Sequence, residues 1–164
     1  MPDEELLGAW VNLGQAAHVV QTALDQRLER AAGVSGAEFE LLWRLNGTPA
    51  KRLQMTEIAG LLLASKSGVT RLVDRLVEGG LVSRETPPEN RRVTYAQLTP
   101  RGKVVLASAQ VAFEEGFETA FARHLSAGDV RAMRRILRRL LQGNGAWAHD
   151  RCDPALVDQD AQAS

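Results

Sequence analysis

One short segment of the chain, SKSGVTRLVDRLVEGGL at residues 65–81, carries a row of hydrogen-bond donors on one side of a predicted helix. At about 100° per residue, the apolar residues of 66–78 fall on one arc and the polar residues on the opposite arc. The first half of the polar arc contains no acid and consists of Lys66, Ser67, Thr70 and Arg71. Such groups near a helix N-terminus attract phosphate, and arginine can pair with guanine in a major groove.

A polar helix face is more often a solvated surface than a DNA-contacting one, so the helix alone does not decide between these two interpretations. Its neighbours favour the DNA interpretation. A short helix precedes it at helix-turn-helix spacing, and two alternating segments follow, with Arg91 and Arg92 near the turn between them. Residues 51–103 hold ten basic and five acidic side chains, a net charge of +5 between acidic flanks. Together these features predict a winged helix-turn-helix whose local charge steers a polyanion.

Apolar periodicity and capping residues define the elements that position this helix. The predicted helices cover residues 4–30, 36–45, 57–64, 66–79, 100–123 and 127–142, and the two strands lie within 81–98. Ser35, Thr56 and Ser126 are the expected N-caps, Ser65 restarts the chain as the fourth helix, and Thr99 caps a helix that begins with Pro100. The expected fold class is therefore mainly α with a small β-hairpin wing: a winged helix-turn-helix with six helices.

Several classes of protein are disfavoured by composition. The single cysteine, Cys152, excludes a disulfide framework within one chain and fits a reducing cytosol. The N-terminus has acids where a secretory signal has bases, and no apolar run is long enough to cross a membrane, so we expect a cytoplasmic protein without a membrane partner. The sequence has no glycine-rich phosphate loop and no nucleophile elbow. The three histidines, His18, His124 and His149, lack ligand spacing. We therefore expect no enzyme, catalytic residue, cofactor or metal site.

The segment MTEIAGLLLASKSGVTRLVDRLVEGGLVSRETPPENRRVTYAQLTPRGK resembles the MarR family of multiple-antibiotic-resistance-type regulators. The resemblance is close from about residue 38 to residue 103. It implies a homodimeric DNA-binding transcriptional regulator, usually a repressor, that binds a near-palindromic operator on double-stranded DNA. The implied organisation is an N-terminal dimerisation helix in 1–35, a DNA-binding lobe in 36–99 and dimerisation helices in 100–142. The acidic tail in 143–164 has weak periodicity and receives no assigned element, with disorder as one interpretation.

The resemblance also implies roles for individual residues. Ser67, Thr70 and Arg71 correspond to base-contacting positions, Lys66 and Arg75 to phosphate contacts, and Arg92, with Arg91 beside it, to the wing arginine. We expect Asp74 to orient Arg71 or Arg75 rather than to touch DNA. The family usually has an aspartate two residues before the wing arginine, where this chain has Asn90. An amide gives that arginine a neutral bond instead of a charge-assisted one, unless Glu89 substitutes.

Many members of that family release DNA when a small anionic aromatic ligand enters a cleft beside the dimer helices. A cleft of this kind in the present chain is expected to involve Trp10, His18, Phe39 and Trp43, although each of these also suits the core or a dimer interface. Oxidant sensing through Cys152 is disfavoured because nearby acids oppose formation of the thiolate. The alternative to a DNA-binding regulator is a winged-helix protein-interaction module. The acid-free helix face and the wing arginines distinguish the two, since a protein-binding derivative needs neither.

Overall fold

The computed structural model describes residues 3–152, which form helices around a small sheet. The elements in chain order are helix α1 (Glu4–Ala32), helix α2 (Gly36–Gly47), strand β1 (Arg52–Gln54), helix α3 (Met55–Leu61), helix α4 (Lys66–Glu78), strand β2 (Val82–Glu85), strand β3 (Tyr95–Leu98), helix α5 (Pro100–Ala120), a 3-10 turn (Ala122–His124), helix α6 (Ala127–Gly143) and the short helix α7 (His149–Cys152). The fold is mainly α with a winged helix-turn-helix, as predicted. No helix within these residues is long and apolar enough to cross a membrane.

Most helix starts follow the predicted capping chemistry. Ser35 and Ser126 cap their helices as predicted, and each forms a reciprocal capping box. The structure adds a cap at Ser65, whose hydroxyl accepts a hydrogen bond from the Gly68 N–H at 3.1 Å. Pro100 begins α5 after the Thr99 cap, where its missing N–H removes no helical bond. At the end of α4, Gly80 rather than Gly79 adopts the left-handed conformation, with φ 69°. These local signals fix where the helices around the site begin and end.

The prediction for the third helix was wrong in its start. Thr56 is not the N-cap, because α3 already begins at Met55 and Gln54 occupies the cap position. There the Glu57 carboxylate accepts a hydrogen bond from the Gln54 N–H at 2.6 Å. The preceding residues form β1, a strand for which no element was predicted from the sequence. The wing therefore belongs to a three-stranded antiparallel sheet in the order β1-β3-β2.

The core lies where the second half of α1, the DNA-binding lobe and the start of α5 meet. Its largest fully buried side chains are Leu28, Leu41, Leu42, Leu45, Ile58, Val69, Val73, Leu76, Val82 and Leu106. The close approach of β2 and α5 depends on Gly102, since a Cβ there would overlap the Leu81 carbonyl oxygen. A stack of rings from Phe39 through Phe113 to Phe117, with centroids 4.8 and 5.6 Å apart, joins α2 to α5.

The two ends of the described chain pack differently from the core. The first half of α1 exposes a row of apolar side chains, including Leu6 at 67% and Trp10 at 72% exposure. No residue of α6 is buried. In the segment for which we predicted no element, residues 149–152 form α7; residues 153–164 of that segment lie outside the described residues.

Candidate nucleic-acid interface

Helix α4 is held in place by its apolar face and presents its polar face outward. Val69, Leu72, Val73 and Leu76 are buried, whereas the predicted contact residues Lys66, Ser67, Thr70, Arg71 and Arg75 are all exposed. Val77, which the helical period places on the apolar arc, is 37% exposed. The first turn of α4 contains no acidic residue. Its N-terminal dipole and donors therefore face the surface without a neutralising carboxylate on that turn.

The two hydroxyls of the recognition face differ in their hydrogen bonding. The Thr70 hydroxyl donates to the backbone oxygen of Lys66 at 2.9 Å. Its oxygen and its methyl group thus remain available as an acceptor and an apolar contact. The Ser67 hydroxyl lies 3.1 Å from the Ser65 hydroxyl. Thr70 therefore suits a base edge that donates a hydrogen bond or a thymine methyl, while Ser67 can rotate to serve either role.

An ion pair that the sequence did not reveal joins the wing to α4. Arg84 on β2 places Nη1 2.6 Å from Asp74 Oδ1, and its Nη2 donates to the Thr70 backbone oxygen at 3.4 Å. The prediction that Asp74 orients Arg71 or Arg75 was wrong, because its carboxylate turns toward the strand instead. The two elements that carry the predicted DNA contacts are thus fastened to each other.

A second ion pair fastens α4 to α2. Arg75 Nε donates to Glu38 Oε1 at 3.0 Å, so its two Nη groups are the ones left for a contact outside the chain. Burial raises the pKa of the Glu38 carboxyl, but hydrogen bonds from Ser35 and Arg75 outweigh it and hold that pKa below its ordinary value. Glu38 therefore stays ionised, capping α2 and anchoring the recognition helix together.

The wing and α4 enclose a concave surface of about 540 Å³. Its polar lining includes Lys66, Thr70, Arg84 and Arg92. Arg71, Arg91 and Arg92 have no ion-pair partner within residues 3–152. The structure thus brings Lys66, Thr70 and Arg92 to one concavity that is cationic and open. The other predicted contact residues are exposed outside its lining: Ser67, Arg71, Arg75 and Arg91.

The tip of the wing is closed by Asn90. Its side-chain oxygen accepts from the Arg92 backbone N–H at 3.2 Å, and its backbone oxygen accepts from the Val93 N–H at 3.1 Å. Neither Asn90 nor Glu89 bonds the Arg92 side chain within the described residues. Glu89 therefore does not substitute for the missing aspartate within these residues, and Asn90 shapes the turn without holding the guanidinium.

The predicted effector residues do not all meet. Phe39 and Trp43 line a cavity of about 790 Å³ between α1, α2 and α5. Trp10 and His18 do not line it; both side chains are exposed on the first half of α1. The cavity instead gains Phe113, Phe117 and Arg151. Arg151 donates to the Gly60 backbone oxygen of α3 at 3.2 Å. Nothing in the local sequence around Arg151 indicates this contact, because it forms only when the chain folds back after α6.

These features define a winged helix-turn-helix protein with a recognition helix and a cationic wing. A family model described as the MarR family matches residues 32–93. The crystal structure of Sco3205, a MarR family transcriptional regulator from Streptomyces coelicolor in complex with DNA, is 29% identical, with a TM-score of 0.82 over 87% of this chain and 93% of that one.

Two further relatives are similar over much of the chain. The HTH-type transcriptional repressor IacR of Pseudomonas putida is 29% identical over 112 residues, which are 68% of this chain and 65% of IacR. The structure of Bordetella bronchiseptica BpsR, whose DNA binding is regulated by 6-hydroxynicotinic acid, shares the fold at 19% identity, with a TM-score of 0.68 over 78% of this chain and 89% of that one. The winged helix-turn-helix lobe of the chain thus matches the MarR family, and the chain is similar over most of its length to a DNA-binding transcriptional regulator of that family.

Proposed function

We propose that this protein is a homodimeric repressor that binds a near-palindromic operator sequence-specifically. In this proposal Ser67, Thr70 and Arg71 contact base edges, Lys66 and Arg75 contact phosphates, and Arg91 and Arg92 reach a minor groove. The observation that carries it is the cationic concavity between the acid-free half of α4 and the wing. The Arg84–Asp74 ion pair supports it further, since it fixes the two DNA-contacting elements as one unit.

The homodimer part of the proposal rests on apolar surface that a single chain leaves uncovered. The exposed side chains on α1 and α6 include Leu6, Trp10, Val19, Ile136 and Leu140. Apolar rows of this length on two terminal helices are typical of surfaces that another subunit covers. We assign residues 1–35 and 100–142 to the dimer and residues 36–99 to DNA binding. Two recognition helices related by twofold symmetry read two half-sites of inverted sequence.

Repression is proposed because the family usually acts by blocking polymerase, and the name of IacR agrees with that mode. Release by a small aromatic anion is proposed on the basis of the cavity between α1, α2 and α5. Phe39, Trp43, Phe113 and Phe117 form its apolar wall. Arg151 lies at its edge, donates to the backbone oxygens of Gly60 and Ala146, and forms no ion pair within residues 3–152. A carboxylate on a bound ring would supply the missing anion.

Selection of bound sequences from a random duplex library tests the DNA proposal, with sedimentation of the purified complex to count subunits. The expected product is an inverted repeat bound by two chains, with half-site centres about 10 base pairs apart or a multiple of that. Recovery of no preferred sequence would favour the protein-interaction module instead. A single chain on an asymmetric site would overturn the dimer but leave sequence-specific binding in place.

Binding of benzoate and of its neutral analogue benzamide tests the ligand proposal. We expect benzoate to bind the wild-type protein and to release the selected duplex, and benzamide to bind far more weakly. Arg151→Gln should remove that preference, while Arg123→Gln, on the turn after α5 and outside the cavity lining, should keep it. Equal binding of the two compounds, or none of either, would contradict an anion site in this cavity.

A further inference from the structure

Helix α3, the first helix of the helix-turn-helix, is capped at its C-terminus by a distant part of the chain. The last carbonyls of a helix have no N–H partner within that helix. The Ala59 oxygen accepts from the Ala64 N–H of the following turn at 3.2 Å. The Gly60 oxygen accepts from Arg151 Nη1 at 3.2 Å, and no backbone N–H of the described chain reaches it. A cationic donor there also interacts favourably with the negative end of the helix dipole.

The segment that carries Arg151, residues 144–152, forms a strap between α6 and α3. Near its start the Trp147 ring lies 4.4 Å from the Arg138 guanidinium carbon, which holds the strap to α6. At its end Arg151 donates through Nη2 to the Ala146 backbone oxygen of the strap itself and through Nη1 to α3. The guanidinium therefore reaches α3 from a position fixed at both ends of the strap.

The turn after α3 leads directly into the recognition helix. It covers residues 62–65, and Leu63 within it has a φ of 50°, a conformation that costs energy for a residue with a side chain. Such a residue keeps its conformation only while the structure around it holds it. Ser65, the last residue of the turn, caps α4, and Lys66 and Ser67 follow at once. A loosened C-terminus of α3 therefore changes the placement of the first turn of α4.

Arg151 also borders two cavities. The cavity of about 790 Å³ between α1, α2 and α5 and a second of about 500 Å³ between α2, α3 and the strap share Arg151 and Trp43 in their linings. Both hydrogen-bond partners of Arg151 are neutral carbonyl oxygens. A carboxylate forms charge-assisted bonds to a guanidinium that are roughly twice as strong as neutral ones. An anionic ligand in the larger cavity therefore competes with Gly60 for the same donor.

We propose that Arg151 couples the ligand cavity to the helix-turn-helix by exchanging its partner. Without ligand, Arg151 caps α3 at Gly60 and the turn at residues 62–65 holds α4 in its DNA-binding position. With a carboxylate bound, Arg151 pairs with the ligand, α3 loses its cap, and Lys66 and Ser67 shift from the duplex. The inference rests on the proposed release of DNA by an aromatic anion and adds its route. The two arrangements of one guanidinium supply the two states that such coupling needs.

The cap is tested in the ligand-free, full-length protein. Arg151→Ala should speed amide hydrogen exchange at Leu62 and Ala64 roughly tenfold and weaken binding of the selected duplex about threefold to tenfold. Arg123→Ala, which removes the same charge outside both cavity linings, should change neither quantity. Trp147→Ala loosens the strap with Arg151 intact and should shift both quantities in the same direction as Arg151→Ala. Unchanged exchange or unchanged affinity in Arg151→Ala would overturn the proposal.

Saturating benzoate tests the exchange of partners in the wild-type protein. A ligand that only stabilised the fold would slow amide exchange, whereas loss of the cap should speed it at Leu62 and Ala64. Benzoate that binds and releases the duplex without faster exchange at these two amides would overturn the coupling and leave the ligand proposal intact. No benzoate binding would overturn the ligand proposal and the ligand-bound state together, while the ligand-free comparison still decides whether Arg151 caps α3.

Discussion

Arg84 on the wing strand and Asp74 on the recognition helix form an ion pair of 2.6 Å, and Arg84 also reaches the Thr70 backbone oxygen at 3.4 Å. The pair is partly exposed, so its contribution to folding is small, about 0–1 kcal/mol. It nevertheless links strand β2 of the wing directly to helix α4. In the proposed function, helix α4 and the wing contact the same duplex, so the ion pair holds the two contact surfaces together.

Asp74→Asn should therefore weaken DNA binding more than it weakens the fold. We expect about a tenfold loss of operator affinity, or about 1.4 kcal/mol, with base preference unchanged and a melting temperature close to wild type. Fluorescence anisotropy and thermal unfolding measure the two quantities. Glu85→Gln is the matched control, since it breaks the exposed Arg52–Glu85 pair of 2.9 Å within the sheet. A comparable loss of affinity in that control would refute the positioning role.

Arg71→Ala tests the assignment of base contacts. The side chain is exposed and has no ion pair within residues 3–152, so its removal should not disturb the helix. We expect a loss of about 1–3 kcal/mol in specific binding and relaxed discrimination at one base pair per half-site. Affinities for a panel of single-base operator variants measure this, with Glu78→Ala at the other end of α4 as the control. Unchanged discrimination would remove Arg71 from the set of base-reading residues.

Arg92→Ala tests the wing. Its guanidinium lines the concavity without a partner in the described part of the chain, so it is available for the duplex backbone or a minor groove. The affinity should fall for all duplexes, and the slope of log affinity against log salt should flatten by about 1 per wing. Salt titrations of wild type and variant give both values. A slope identical to wild type would mean that the wing does not contact phosphate.

Glu38 makes the fold sensitive to acid. Its pKa lies below the ordinary value of 4.5 in the folded chain, so its contribution to stability is complete above that value and is lost as pH falls through the folded pKa. Glu38→Gln should flatten the acid limb of the stability profile and have less effect on its slope near neutrality. Urea unfolding across this pH range measures the profile. An acid limb equally steep in the variant would exclude Glu38 as a source of it.

Gly102 should be intolerant of a side chain. Because a Cβ at this position would overlap the Leu81 carbonyl and the Leu98 side chain, Gly102→Ala should cost roughly 1–3 kcal/mol or more of stability. Gly128→Ala is the matched control, since the nearest atom to its Cβ is the Ser126 hydroxyl at 3.5 Å. That change should be neutral or stabilising. Equal melting temperatures for the two variants would contradict the close approach of β2 and α5.

The parts of the fold that depend on local signals were predictable from sequence. Ser35, Thr99 and Ser126 cap helices as expected, because a cap bonds only to backbone groups within the next three residues. Strand β1 was missed because its three residues carry no alternation of their own and pair with β3, about forty positions later. Such pairing depends on the tertiary fold rather than on the segment's own pattern.

The candidate site also has features that local sequence predicts and features that only the tertiary fold determines. The exposed face of α4 follows from its helical period, so Lys66, Ser67, Thr70 and Arg71 lie where the wheel puts them. The ion-pair partners of the charged residues could not be predicted from the helical period, because Asp74 and Arg75 pair with other elements rather than along their own helix. Likewise, Trp10 and His18 fail to line the cavity, and Arg151 reaches it only through the reversal of the chain after α6.

Sequence-selective DNA binding is the central claim, and equilibrium binding of the full-length protein to the duplex upstream of its own gene tests it most directly. An unrelated duplex of equal length and base composition serves as the competitor, at about 0.05 and 0.2 M salt. We predict at least about a thousandfold preference for the upstream duplex, with affinity for both duplexes falling as salt rises. Equal affinity for the two duplexes at both salt concentrations, or no binding even at the lower one, would contradict the account.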